Sequence, residues 1–295
     1  MGTRPAGQVT RGKTAPNRLR LVDTYLAVAH ADVVRGLAGP VVDLGFGDVP
    51  VTTIELLQRL RRLNGRAEVV GVEIDPERAE RAQGYVRAGL RFVRGGFELP
   101  LAPGERAGLV RAFNVLRQYP VDGVRAALEI AARRMAPGAL LIEGTCDVWG
   151  RLACWWIWER TSASLVPPGR WEAPPLVRRR LVFGARLRAL AVEGPRAFQP
   201  FLPRELIHHV EPGGMLDGFF GAWERAWLAA AGRPLRERWR ASVLAAGEVV
   251  GVDRRRTLID RGLAAFACDG GLLAEVVGAG QSTPPGSPGR SGSVN

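Results

Sequence analysis

Histidine, cysteine and lysine are all scarce in this chain. The histidines are His30, His208 and His209, and the cysteines Cys146, Cys154 and Cys268, with no CxxC pair and no zinc-like spacing. An odd, widely spaced cysteine set excludes a disulfide scaffold, and no metal site of histidine and cysteine is expected, although carboxylate-only magnesium sites stay open. No stretch approaches the roughly 18 consecutive apolar residues of a membrane span. The basic start lacks the apolar centre of a secretory signal, so a cytoplasmic protein with no membrane partner is expected. Acidic residues are absent before Asp23.

Lys13 is the only lysine, so arginine supplies nearly all of the 41 basic residues behind a net charge of +12 and a pI near 11.1. Together with abundant alanine, glycine and proline, this composition is what a GC-rich coding sequence produces whatever the function. The positive field would steer anionic ligands, and it permits an RNA partner without requiring one. At 295 residues and 46% hydrophobic, the chain can build one large α/β domain.

Residues 1–16 read as a flexible basic arm and residues 17–39 as a helical cap, with a helix over 17–30 and Asn17 as its N-cap. Strands and helices then alternate. Strands are expected at 40–44, 67–73, 90–94, 109–115 and 139–143, with helices at 51–63, 76–87 and 121–135, which implies a Rossmann-like, mostly parallel sheet with helices on both faces. The Trp-rich run 152–159 is apolar on both faces, as an interior strand requires, and 181–190 would be its partner. A core at 40–190 would be followed by a helical extension at 191–278, with a terminal strand near 256–267. The polar tail 279–295 would be disordered.

The run Val41-Val42-Asp43-Leu44-Gly45-Phe46-Gly47 ends the first expected strand in a glycine turn. Glycines there let the backbone approach a ligand where a Cβ would collide, and the next helix start offers free N–H groups. One unit later, Glu73 ends the second strand, where a carboxylate can accept from both hydroxyls of a ribose. Pro50 occupies the third glycine position of a dinucleotide fingerprint and argues against that class. Each residue also has a plain role open to it: Glu73 could pair with Arg78, Asn114 could cap a turn, and the tryptophans are expected to be core.

An acidic residue two positions before the first glycine, here Asp43, is the pattern of class I S-adenosylmethionine-dependent methyltransferases, which the chain resembles from about residue 40 to 188. It is most similar to bacterial members that combine the motifs found here at 11–20 (RGKTAPNRLR), 95–100 (GGFELP), 113–119 (FNVLRQY) and 143–147 (EGTCD). The resemblance implies a seven-stranded sheet whose last two strands form an antiparallel hairpin. It implies S-adenosyl-L-methionine as cofactor, with Asp43, Gly45 and Gly47 along its methionine and ribose side, Glu73 on the ribose hydroxyls, and Ile74 against adenine. The family often places an acidic residue after the third strand to meet the adenine amino group. Here that loop is Gly95-Gly96-Phe97-Glu98, so adenine would be met by backbone near Gly96 or by stacking on Phe97. Val49 replaces the family's third glycine.

The catalytic candidates are Asn114, facing the expected position of the transferable methyl, and Glu143. Asp147, Tyr119, His208 and His209 are further candidates for a general base, needed only if the acceptor must lose a proton. Thr14, Asn17, Arg18 and Arg20 would close the pocket, with Arg18 meeting a carboxylate of the cofactor or acceptor. Val115-Leu116-Arg117 replaces the N-P-P-aromatic run typical of methylation of exocyclic base amines. Three functions follow: a methyltransferase acting on a small molecule, one acting on RNA, and a cofactor-binding protein without catalysis. The oligomeric state is not legible.

Overall fold

A computed structural model describes residues 4–161 and 176–268. One eight-stranded sheet runs through the molecule in the order β3-β2-β1-β4-β5-β6-β7-β8. Its parallel half comprises β1 (Val41–Leu44), β2 (Val69–Glu73), β3 (Leu90–Arg94), β4 (Ala107–Phe113) and β5 (Met135–Cys146). Helices α3 (Val51–Leu60), α4 (Pro76–Ala82) and α5 (Val121–Ala132) supply the crossovers. The start of α4 is locally encoded: the Asp75 carboxylate caps the Glu77 and Arg78 N–H groups, and Pro76 fills the first turn.

β2 and β3 lie to one side of β1 and β4 to the other, so the direction of winding reverses between β1 and β4. The crevice beyond the C-terminal ends of those strands is where open α/β sheets place ligands.

The far half departs from the expected seven strands. β6 (Leu152–Arg160) pairs antiparallel with β5, and β7 (Leu176–Ala185) pairs antiparallel with β6, so the expected hairpin forms. β8 (Leu263–Ala267) then adds antiparallel to β7. The extension after residue 190 therefore completes the sheet rather than standing apart from it. Without β8, the buried β7 would present an unpaired edge.

Each face of the sheet carries its own core. One packs α1 (Arg20–Ala29) and α3 against Val41, Leu109, Ile142 and Trp155. The other packs α5, α6 (Met215–Ala229) and α7 (Leu235–Val250) against Val42, Leu141, Trp156 and Phe183. Trp155, Trp156 and Trp158 are buried, so the Trp-rich strand is core, as expected, but Trp149, expected in the core with them, is exposed. On α6, Phe219, Phe220 and Trp223 ring Phe183, with the Trp223 centroid 5.2 Å away. Short helices α2 (Ala31–Arg35) and α8 (Arg256–Ile259) complete the fold.

Several bounds differ from expectation. The first helix begins at Arg20, with no side-chain cap; Asn17 instead adopts φ 59° and donates its backbone N–H to the Glu55 carboxylate. Residues 203–214 form short 3-10 and turn segments before α6 rather than one continuous helix. The expected tail at 279–295 lies outside the described residues, as do residues 269–278 of the extension. Among the described residues no helix is long and apolar enough to cross a membrane.

Candidate nucleotide and acceptor site

The glycine turn forms as its residues require. Gly45 and Gly47 take φ 74° and 84°, and a Cβ on Gly47 would strike the Gly12 carbonyl. Glu73, buried at the end of β2, fastens the turn. Its carboxylate accepts the Gly47 N–H at 2.9 Å, the Ile74 N–H at 3.0 Å and the Asp75 N–H at 3.2 Å. It does not pair with Arg78, which instead binds Asp48 at 2.7 Å and the Thr10 carbonyl at 2.9 Å.

Two recesses meet at this turn, sharing Thr10, Leu44 and Gly45. The first is a narrow slot lined by Glu73, Ile74, Gly96, Phe97, Val115 and Tyr119. The arm fills it. The Ala6 N–H donates to the Glu98 carboxylate at 2.7 Å, and the Ala6 carbonyl accepts the Phe97 N–H at 2.8 Å. The Gln8 N–H donates to the Tyr119 hydroxyl at 2.9 Å. Gly7 lies so close that a Cβ would come within 2.7 Å of the Tyr119 oxygen and 3.4 Å of the Ile74 side chain. The segment expected to be a flexible arm is thus held from Ala6 onward by main-chain bonds that its composition does not advertise. Burial raises the Tyr119 phenol, against the lowering effect of the Gln8 N–H.

The second recess is a cavity of about 840 Å³, open to solvent. Its walls carry Gly45, Gly47, Asn114, Cys146, Asp147, Trp149, and the basic side chains of Arg11, Lys13, Arg18, Arg117 and Arg151. Asp43 also borders it, but its carboxylate is committed. Buried Arg111 on β4 grips Asp43 in a two-pronged pair, both bonds 2.8 Å, and reaches Asp23 of α1 at 2.6 Å. The Thr53 hydroxyl donates to the same Asp43 carboxylate at 2.7 Å. Burial alone would push the Arg111 guanidinium down, but the two carboxylates outweigh it and hold it above its ordinary range. Arg111 and Asp23 escaped the sequence reading. Their only signal is an arginine in the otherwise apolar run Leu109–Phe113, beside a strand that carries an aspartate.

Asn114 sits at φ 60° at the end of β4. Its amide bonds across to β5, accepting the Cys146 N–H at 3.0 Å and donating to the Cys146 sulfur at 3.3 Å. Burial raises the Cys146 thiol, which leaves it neutral and a poor nucleophile. Arg18 donates from Nε to the Asp147 carbonyl at 3.2 Å and also to the Lys13 carbonyl.

The structure does not bring Glu143 to Asn114. Side chains alternate along β5, and Glu143 falls on the face opposite Ile142, beside Trp156, away from both recesses. Burial raises its carboxyl to about 8, helped by Glu205 and opposed by Arg178. His208 and His209 also line neither recess. Of the other base candidates, Tyr119 lies in the slot, and Asp147 borders the cavity paired with Arg151 at 2.8 Å. Among the described residues no cluster of three or more histidine, cysteine or acidic side chains could hold a metal ion.

This architecture, with a glycine turn at the winding reversal and an acidic end to β2, is Rossmann-like. Solved structures similar to it include magnesium protoporphyrin IX methyltransferase from Synechocystis PCC 6803 with bound SAH, at 19% identity over 43% of this chain and 55% of that one, TM-score 0.33. Another is a sarcosine dimethylglycine methyltransferase, so named provisionally, from Galdieria sulphuraria, at 14% identity over 42% and 45%, TM-score 0.32. A third is a plantazolicin methyltransferase in complex with a triazolic desmethyl analogue and SAH, at 10% identity over 44% and 48%, TM-score 0.34. The chain spans about half the length of these structures. No family model and no curated protein sequence matches it.

Proposed function

We propose that the protein is an S-adenosylmethionine-dependent methyltransferase acting on a small molecule. One observation carries the reading. At the edge of the slot, behind Ala6, the Glu98 carboxylate and Phe97 N–H present an acceptor beside a donor to a partner with the reverse pair. The Ala6 peptide has that pair, and so does the edge of adenine, with its amino group and adjacent ring nitrogen. The acidic residue looked for after the third strand is thus Glu98.

The remaining residues fit the rest of the cofactor. Ile74 and Phe97 supply the apolar walls for the base, and Glu73 borders the ribose position. The bare backbone at Gly45 and Gly47 leads from slot to cavity, where Arg18 offers a guanidinium to the cofactor's carboxylate. When bound there, the cofactor supplies a methyl group already activated on a sulfonium. The chain's own task is then to orient and to exclude water. Asn114, its amide locked to β5, forms a fixed wall of the cavity. Glu143 lines neither recess, and of the two acidic residues on the cavity walls Asp147 is the one not held by Arg111.

Ala6 to Gln8 and a nucleoside cannot share the slot, so the cofactor must displace them. Thr10 and Gly12 are held separately, by Arg78 and by the Asp48 N–H at 2.8 Å, so the arm can open at its outer end alone. Calorimetric titration with S-adenosylhomocysteine tests the reading. We expect saturable binding that Glu98→Gln weakens, with methylated products found by mass spectrometry in extracts supplied with labelled cofactor. Absence of binding, both to the full chain and to a chain lacking residues 1–9, would refute it.

A further inference from the structure

We infer that the methyl acceptor is a small molecule carrying at least two negative charges on oxygen, such as a phosphate ester or a dicarboxylate. This inference rests on the methyltransferase reading for the word acceptor, but its evidence is the charge of the cavity itself. Of the two acidic residues on the walls, Asp43 is neutralised by Arg111 and Asp147 is paired with Arg151. Arg11, Lys13, Arg18 and Arg117 have no carboxylate partner among the described residues. The hydrogen bonds that Arg18 makes go to carbonyl oxygens, which orient a guanidinium without cancelling its charge.

The proposed cofactor does not balance these charges. It brings one carboxylate but also a sulfonium and an ammonium, so it adds positive charge to a cavity already in excess. An acceptor that were neutral or cationic would leave like charges facing one another in a recess partly shielded from water, where they interact more strongly than at an open surface. An anionic acceptor removes the conflict, and arginine forks suit a phosphate or carboxylate in two-pronged geometry. Cationic groups come from opposite sides: Lys13 and Arg18 from the segment held by Asp48 and Glu55, Arg117 from the turn after β4. None of these requires residues 6–8 to stay in the slot. Trp149, 63% exposed at the cavity, offers an apolar face to the body of such a molecule. The volume of about 840 Å³ suits a metabolite rather than a polymer groove.

Calorimetry with the full chain tests this in the absence of cofactor, with inorganic pyrophosphate and citrate as separate probes. Pyrophosphate and citrate report phosphate and carboxylate chemistry respectively. We expect saturable binding of one or both, weakened about tenfold or more by Arg117→Ala and by Lys13→Ala, since each removes charged hydrogen bonds. Arg62→Ala, an equal loss of charge from an exposed site at the opposite end of α3, should leave binding unchanged. Melting curves confirm that each variant is folded. Equal affinity in wild type and Arg117→Ala, or an equal loss in Arg62→Ala, overturns the inference. So does a structured RNA that binds far more tightly than either probe and loses that binding in the same variants. The cofactor titration above is scored separately, so an anion site without cofactor binding would sink the methyltransferase reading and leave this site standing.

Discussion

Removing residues 1–9 should tighten nucleoside binding. The cut falls before Thr10, whose carbonyl Arg78 holds, so the rest of the arm keeps its anchor. Four hydrogen bonds are lost, one of them from the Gln8 side chain to the Gln118 carbonyl. The one to the Glu98 carboxylate contributes about 1.5–3 kcal/mol and the three neutral ones about 0.5–1.5 kcal/mol each. Against that, fixing the backbone of Ala6, Gly7 and Gln8 costs about 1–2 kcal/mol per residue. Gain and cost cancel to within about 2 kcal/mol, so the closed slot is favoured by at most about thirtyfold. A ligand that binds only the open slot loses affinity by the closed-to-open ratio. The truncated chain should therefore bind S-adenosylhomocysteine between about twofold and thirtyfold more tightly in calorimetry. Gly7→Val gives the same test at full length: its φ is 140°, and its Cβ would crowd the Tyr119 hydroxyl. Weaker or unchanged binding in both variants would show that the arm is not a competitor for the slot.

Three further outcomes follow from the same geometry. Arg111→Met should cost about 3–5 kcal/mol of stability in urea unfolding, because it strands the Asp43 and Asp23 carboxylates in the core; a midpoint unchanged from wild type would contradict the buried pairing. Gly45→Val should abolish measurable cofactor binding while the chain stays folded, since its Cβ points at the Val115 side chain on the floor of the slot and φ is 74°; wild-type affinity would move the site elsewhere. The third concerns Glu143, whose carboxyl has an ordinary value of 4.5 and is raised to about 8 by burial. Between those values the unfolded chain has released a proton that the folded chain keeps, so stability falls as pH rises, by up to about 5 kcal/mol. Glu143→Gln removes that slope, and its stability relative to wild type should grow from pH 5 to pH 8. The difference is the readout because His30, lowered to about 4 by burial, gives the opposite slope below its ordinary 6.5. A difference that stays flat across the range would refute the assignment.

The parallel half of the sheet was legible because its signals are local. Apolar periodicity marks β1 to β5, and Asp75-Pro76 marks the start of α4. The glycine turn and Glu73 could be placed for the same reason: a strand end, a φ only glycine tolerates, and a carboxylate one βα unit later. What failed was whatever depended on partners distant in sequence. Asp43 looked free for a ligand, but its partner Arg111 lies 68 positions away on β4. Glu143 was mistaken in a different way. Its candidacy went with the motif run 143–147, whereas the alternation along β5 places it across the sheet from Ile142. The terminal strand expected near 256–267 forms as β8 over Leu263–Ala267, but its place beside β7, which makes the sheet eight-stranded, depends on a pairing distant in sequence. The arm was hidden most completely, since it acts through main-chain atoms that every residue type possesses.

The buried triad explains why an arm can open without disturbing the site it covers. Arg111 ties β4 to β1 through Asp43 and to α1 through Asp23, directly beneath the glycine turn. Arg59 of α3 also pairs with Asp23, so α1 is clamped from two elements. The arm leads into α1, and a pull on residues 6–8 would reach the glycine turn most directly through α1 or through the Gly12 contact with Asp48. The first route is blocked by a desolvated ion network whose rupture costs several kcal/mol, far more than the arm's own closure. The second is braced by Arg78, which holds both Asp48 and Thr10. Thr10 is therefore the hinge: outward of it the chain has hydrogen bonds of ordinary strength and entropy to regain, and inward of it the segment is held at Gly12 by the Asp48 N–H and at Asn17 by the Glu55 carboxylate. Replacing Arg78 by alanine should move the hinge inward past Gly12 and loosen Lys13 with it. That variant should weaken anion binding in the cavity while tightening nucleoside binding in the slot, a divergence that damage to the fold as a whole would not produce.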